Sequence, residues 1–229
     1  MDLLVLHGAL GSASQLEPLK AALDKHFNVS LLNFAGHGGK DIPDSFSIEA
    51  FAGDVLAYLQ QYSVTKIDIL GYSMGGYVGL YLCRHYPEKV NRLMTVATKL
   101  DWNPEGAKNE VKMLDPEVIE QKVPAFAKQL AERHSPADWK AQMQRTAAMM
   151  LEMGAVPALT DEDYAQIQHP VLLSVGDRDK MVSIEETIGV YRQLPAGNFW
   201  CIPGTAHPVE KMPLEKLAAA AKSFFTGTL

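Results

Sequence analysis

Cysteine is scarce in this chain. There are two among 229 residues, Cys83 and Cys201, each inside an apolar segment. Two isolated thiols make neither a disulfide framework nor a zinc site, and both read as buried and reduced. Long hydrophobic runs are missing as well: no segment reaches the roughly 20 apolar residues that a bilayer-spanning helix needs. The N-terminal stretch MDLLVLHGAL is apolar, but it lacks a basic flank and a small-residue cleavage site. It reads as a strand starting at residue 2 or 3. Basic clusters are absent too. Lys and Arg number 21 against 27 Asp and Glu, for a net charge of −6. A nucleic-acid partner calls for a basic patch, so the acidic balance is read as solubility. Neither an internal repeat nor a low-complexity tract occurs. The expectation is a cytoplasmic protein that binds neither nucleic acid nor membrane.

What is present is ordinary globular material, 47% hydrophobic and 21% charged, enough for one sizeable core. Short apolar runs alternate with helical stretches. Strands are predicted at Leu3–Leu6, Phe27–Phe34, Ile67–Leu70, Arg92–Ala97, Val171–Val175 and Phe199–Ile202. Between them, Ser14 and Glu17 suggest a capping box, and Ser47 can cap a helix reaching Tyr62. Further helices are expected over about 76–86, 184–193 and 214–225. Such alternation argues an α/β fold, a mostly parallel sheet of about six strands with helices on both faces. Residues 103–168 break the rhythm. They are helix-rich, with Asp115-Pro116 and Ser135-Pro136 resembling an N-cap followed by proline, and Thr160–Asp163 resembling a capping box. The expected organisation is therefore a core of residues 1–102 and 169–229, with a helical cap inserted at 103–168.

The most informative local feature is Gly71-Tyr72-Ser73-Met74-Gly75, between the strand at Ile67–Leu70 and a helix. This G-x-S-x-G frame is the nucleophile-elbow pattern. The chain reverses sharply, side chains at positions 71 and 75 would collide with strand and helix, and Ser73 emerges at a helix N-terminus, where free N–H groups favour negative charge. A serine hydroxyl needs a base, and the base needs an orienting acid. Downstream, Gly176-Asp177-Arg178-Asp179 follows one strand and Gly204-Thr205-Ala206-His207 follows the next. Strand-end loops gather at one edge of a parallel sheet.

The order Ser, Asp, His at strand ends resembles the α/β-hydrolase superfamily. The resemblance covers residues 3–100 and 169–226, but not the cap. The superfamily's G-x-x-D-x-x-V frame falls on Gly176, Asp179 and Val182, selecting Asp179 over Asp177. The resemblance implies Ser73 as nucleophile, His207 as base and Asp179 as its orienting acid. It also implies backbone N–H donors at Ala9, in the loop His7-Gly8-Ala9-Leu10-Gly11-Ser12, and at Met74. His7, and His37 in Gly36-His37-Gly38, are expected to be structural. Asn33 stands where relatives usually carry an Asp, and Glu210 resembles an acid often found after the histidine. Many relatives carry two further strands before the His-Gly strand, so a smaller six-stranded sheet is expected. The candidate substrate pocket comprises Leu10, Tyr72, Trp139, Met143 and Met150.

The implied activity is hydrolysis of a carboxylic ester or thioester of a small, partly apolar substrate, without metal or organic cofactor. Other triad reactions on this fold (C–C hydrolysis, a lyase of menaquinone synthesis, perhydrolysis) and a slow-turnover ligand receptor stand as alternatives. The oligomeric state is left open.

Overall fold

The computed structural model describes residues 1–228. The six apolar runs form six strands: β1 (Asp2–Leu6), β2 (Asn28–Leu32), β3 (Ile67–Tyr72), β4 (Val90–Val96), β5 (Val171–Gly176) and β6 (Gly197–Ile202). They make one sheet in the order β2-β1-β3-β4-β5-β6, and every pairing is parallel. Side chains alternate between the two faces of a strand. Leu3 and Val5 accordingly join a core with α1 (Glu17–Leu23) and α10 (Leu214–Phe225). Leu4 and Leu6 join the opposite core, with α2 (Ile48–Gln61) and α3 (Met74–His85). α9 (Ile184–Tyr191) packs on that second face through Val190.

The order of the strands locates the site. From β1 the chain moves outward to β2, then crosses back to place β3 on the other side of β1. Connections leave the adjacent ends of β1 and β3 in opposite directions and open a crevice there. Such a switch point is where parallel α/β sheets bind ligands. The loops after β1 and β3 carry Ala9 and Ser73.

Between β4 and β5 lie five helices: α4 (Pro104–Val111), α5 (Pro116–Lys122), α6 (Pro124–His134), α7 (Trp139–Ala155) and α8 (Asp161–Ala165). Four of them start on a side-chain cap, at Asn103, Asp115, Asp138 and Thr160, and the last is a full Thr160–Asp163 capping box. The first part of this insertion has its own small apolar core, built on Ile119, Leu130, Trp139 and Met143. The later part, through Met149, Met153, Leu159 and Tyr164, is continuous with the core of the sheet. The first part of the insertion thus packs on itself and the later part on the sheet.

Two expected helix starts differ. Ser135-Pro136 lies in the turn after α6, and α7 begins at Trp139 because Asp138 accepts from the Lys140 N–H at 2.9 Å. Ser14 does not open α1. Its hydroxyl pairs with Ser12 Oγ at 2.8 Å, and a short 3-10 turn over Ala13–Leu16 precedes the α-helix. Among the described residues no helix is long and apolar enough to cross a membrane.

Candidate active site

Ser73 is the N-cap residue of α3, with φ +51° and ψ −118°. A non-glycine residue there is strained by roughly 1–3 kcal/mol and persists only when its surroundings hold it. They do so at both ends of the residue. Its N–H donates to Val96 O at 2.8 Å, and its carbonyl accepts from Thr98 Oγ1 at 3.0 Å. The flanking glycines permit the turn. A Cβ on Gly75 would lie 2.5 Å from the Leu6 carbonyl oxygen, and one on Gly71 would overlap the main chain of Gly75 and Gly76.

Two more loops converge on the same edge. After β5, Asp179 Oδ1 accepts from the N–H groups of Met181 at 2.8 Å and Val182 at 2.9 Å. Its Oδ2 lies 2.8 Å from His207 Nδ1, in the loop after β6. The Asp179 side chain is fully buried. Burial pushes its carboxyl pKa up, but the hydrogen bond and charge of His207 and the two N–H donors outweigh burial and hold the pKa below the ordinary carboxylate value. With Nδ1–H donating to the acid, a neutral His207 keeps Nε2 free as an acceptor. The neighbouring Asp177 does different work. Its Oδ1 accepts from the Thr205 N–H at 3.2 Å, and the Arg178 N–H donates to Thr205 O at 2.9 Å. These bonds stitch the acid loop to the histidine loop.

The third loop follows β1. Gly11 N–H donates to Gly8 O at 3.1 Å, closing a turn with Ala9 and Leu10 at its centre. Among the described residues the N–H groups of Ala9 and Met74 have no hydrogen-bond partner, and both residues line one cavity with Ser73 and His207. No hydrogen bond within 3.5 Å joins the Ser73 and His207 side chains. Catalytic contacts of resting sites often tighten only when substrate is bound.

That cavity is narrow, about 50 Å³, and opens to solvent. Its walls are mostly apolar, with Met149, Met150 and Met153 from α7 and Trp102 before α4. One polar spot interrupts them. Lys99 Nζ lies 3.7 Å from Glu110 and 4.0 Å from Glu186, and 5.9 Å from the centre of the Trp102 ring. Among the described residues no group of three or more His, Cys, Asp or Glu is placed to hold a metal ion.

The geometry agrees with comparisons to known proteins. Residues 3–209 match the model of the alpha/beta hydrolase fold family. The chain is an α/β hydrolase. Among curated relatives, a pimeloyl-[acyl-carrier protein] methyl ester esterase of Neisseria meningitidis is 27% identical over 251 residues, covering 98% of this chain and 77% of the relative. Among solved structures, a thermophilic esterase of Thermogutta terrifontis superposes with a TM-score of 0.80 at 22% identity, covering 100% of this chain and 90% of that one. A meta-cleavage product hydrolase of Pseudomonas fluorescens gives 0.80 at 15% identity, covering 100% and 92%. At these identities the structural likeness establishes the fold.

In this hydrolase, four of the residues expected along the pocket lie elsewhere, and Met150 alone of the five lines the cavity. Trp139 and Met143 are buried in the small core of the insertion. α7 is 17 residues long, roughly 25 Å, so its two ends meet different neighbours. Its first half packs against α5 and α6, and only its second half reaches the cavity. Leu10 packs its side chain on that same small core. Tyr72 points to the other face of the sheet, where its hydroxyl donates to His207 O at 3.1 Å. Tyr77, Lys99, Trp102 and Glu110 also line the cavity, with no local sequence signal that marks them. Met149 and Met153 belong to a methionine-rich stretch of α7, and only the docking of that helix decides which of its sides meets the cavity.

His7 and His37 make structural bonds. His7 Nδ1 donates to Gly8 O at 2.8 Å and its Nε2 accepts from the Phe34 N–H at 3.2 Å. His37 Nδ1 donates to Ala35 O at 2.9 Å, and its Nε2 accepts from Gln142 of α7 at 2.7 Å. Asn33 keeps a loop-binding role, with its Oδ1 accepting from the Ala13 N–H at 2.6 Å.

Proposed function

We propose that this hydrolase cleaves a carboxylic ester or thioester of a small, partly apolar substrate through an acyl-enzyme on Ser73. The observation that carries this reading is the 2.8 Å His207–Asp179 pair opening onto the cavity that Ser73 lines. In the first half-reaction the Ser73 oxygen attacks the carbonyl carbon while His207 Nε2 takes the hydroxyl proton. The carbonyl oxygen becomes an alkoxide, to which the N–H groups of Ala9 and Met74 donate. Collapse breaks the bond to the leaving alcohol or thiol, and His207 returns the proton to it. Water then attacks the acyl-enzyme in the same manner and releases the acid and free Ser73. Asp179 holds the ring in one tautomer and stabilises its charged form. Each amide donor contributes about 3 kcal/mol to the transition state.

Methionine walls favour an apolar acyl or alkyl group of variable shape. The esterase named among the relatives supports ester cleavage. Of the two arginines of the insertion, Arg133 is bonded to Leu10 O and Arg145 is exposed, which argues against a polyanionic substrate. The test is turnover of short p-nitrophenyl esters before and after Ser73→Ala. Loss of at least about a thousandfold is expected, and retention of most activity would refute Ser73 as nucleophile.

A further inference from the structure

Leu10 holds φ +56° in the turn that contains Ala9. For leucine this left-handed backbone costs about 1–2 kcal/mol, and it persists only where neighbours fix it. The neighbours here come from the insertion. The Leu10 carbonyl accepts from Arg133 Nη1 at 2.8 Å and from His134 Nε2 at 3.1 Å. Both lone pairs of one oxygen are thus taken by consecutive residues at the end of α6. His134 is fully buried, and its Nδ1 accepts from the Gly38 N–H at 3.2 Å, which fixes Nε2 as its donor. Arg133 also reaches the loop of the histidine. Its Nη2 lies 4.0 Å from Glu210, which accepts from Gln15 Nε2 at 2.7 Å.

The pinned peptide is the one whose N–H, on Gly11, closes the turn onto Gly8. Ala9 sits inside that turn, so its N–H direction depends on the Leu10 peptide staying in place. We propose that Arg133 and His134 are positioning residues that hold the Leu10 carbonyl and so aim the Ala9 N–H, making the oxyanion site complete only when α6 is docked. This inference rests on the esterase reading above. It assigns the insertion a second task besides walling the pocket: it finishes the electrostatic machinery on the opposite side of Ser73.

The test compares Arg133→Met, which keeps much of the alkyl stem, with wild type on a matched pair of substrates. One is an ester and the other its thionoester, whose sulfur is a poor acceptor for amide donors. Wild type should favour the oxygen substrate strongly. The variant should lose about tenfold to a hundredfold in kcat on the ester with KM within about twofold, and its preference for oxygen should shrink by about tenfold. Arg133→Lys, which retains a donor, should recover part of both, and it supplies the reading if Arg133→Met does not fold. Unchanged kcat and unchanged oxygen preference in a folded variant would overturn the positioning role. If Ser73→Ala still abolishes turnover in that case, the esterase reading stands; turnover that survives Ser73→Ala would overturn both.

Discussion

The Tyr72 hydroxyl donates to the main-chain carbonyl of His207 at 3.1 Å. It ties the end of β3, one residue before Ser73, to the loop after β6. Burial pushes the Tyr72 hydroxyl pKa well up, so it stays a donor at any working pH. Tyr72→Phe leaves this carbonyl without its partner and should cost about 1–3 kcal/mol of stability. Because the freed loop carries His207, kcat should fall as well, by about tenfold. Denaturation midpoints and steady-state kinetics check the two effects separately.

Asp179 and Asp177 sit two residues apart and do unlike things. Asp179→Asn keeps the shape but offers an amide where His207 Nδ1–H needs an acceptor. In the proposed mechanism kcat should drop on the order of a thousandfold or more. Asp177→Asn removes charge while keeping an oxygen that can accept from Thr205, and should cost less than about tenfold in kcat. Comparable losses in the two variants would contradict the assignment of the acid.

Three buried histidines make stability depend on pH. Ring centres are 4.9 Å apart for His7 and His37, and 5.8 Å apart for His37 and His134. Burial, the largest influence on each, lowers all three pKa values, that of His37 to about 4. In the unfolded chain these rings bind protons near pH 6.5. Between about 6.5 and 4 the unfolded state therefore holds more protons than the native one, and stability present above that window is lost as pH falls through it. Asp68 acts in the opposite sense, since burial raises it to about 6 and the native state binds its proton first. With three rings against one carboxyl, Tm should fall as pH is lowered from about 7 to about 4. His37→Asn should reduce the stability lost across this window by up to roughly 3 kcal/mol. A pH-independent Tm over this range would contradict the buried neutral state of the rings.

Met150 reaches the cavity from α7, half-buried beside Met149. Met150→Ala should enlarge the space next to Ser73 and shift the preferred acyl chain toward longer esters, with changes in kcat/KM of about tenfold to a hundredfold across a chain-length panel. An unchanged length profile would place the acyl group elsewhere.

Much of the fold was legible because local and global signals agree. Apolar runs such as Ile67–Leu70 and Val171–Val175 are buried on both faces, as central parallel strands require. The elbow around Ser73 could be read because its glycines answer a steric need within a few residues, and strand-end loops of a parallel sheet must share one edge. The rest depends on docking. Helical spacing joins Trp139, Met143 and Met150 on paper, but a long helix crossing from the small core to the cavity divides them. Nothing local in Arg133-His134 announces that both donate to a carbonyl 123 and 124 residues earlier in the chain. Lys99 and Glu110 likewise meet only through the tertiary fold.

The most direct measurement is to react the purified protein with a fluorophosphonate and map the adduct by peptide mass spectrometry. A hydroxyl activated by His207 beside two amide donors should be phosphonylated at Ser73 with one adduct per chain, and Ser73→Ala should take up none. Modification at another residue, or none in a folded protein that hydrolyses esters, would contradict a serine nucleophile at this position.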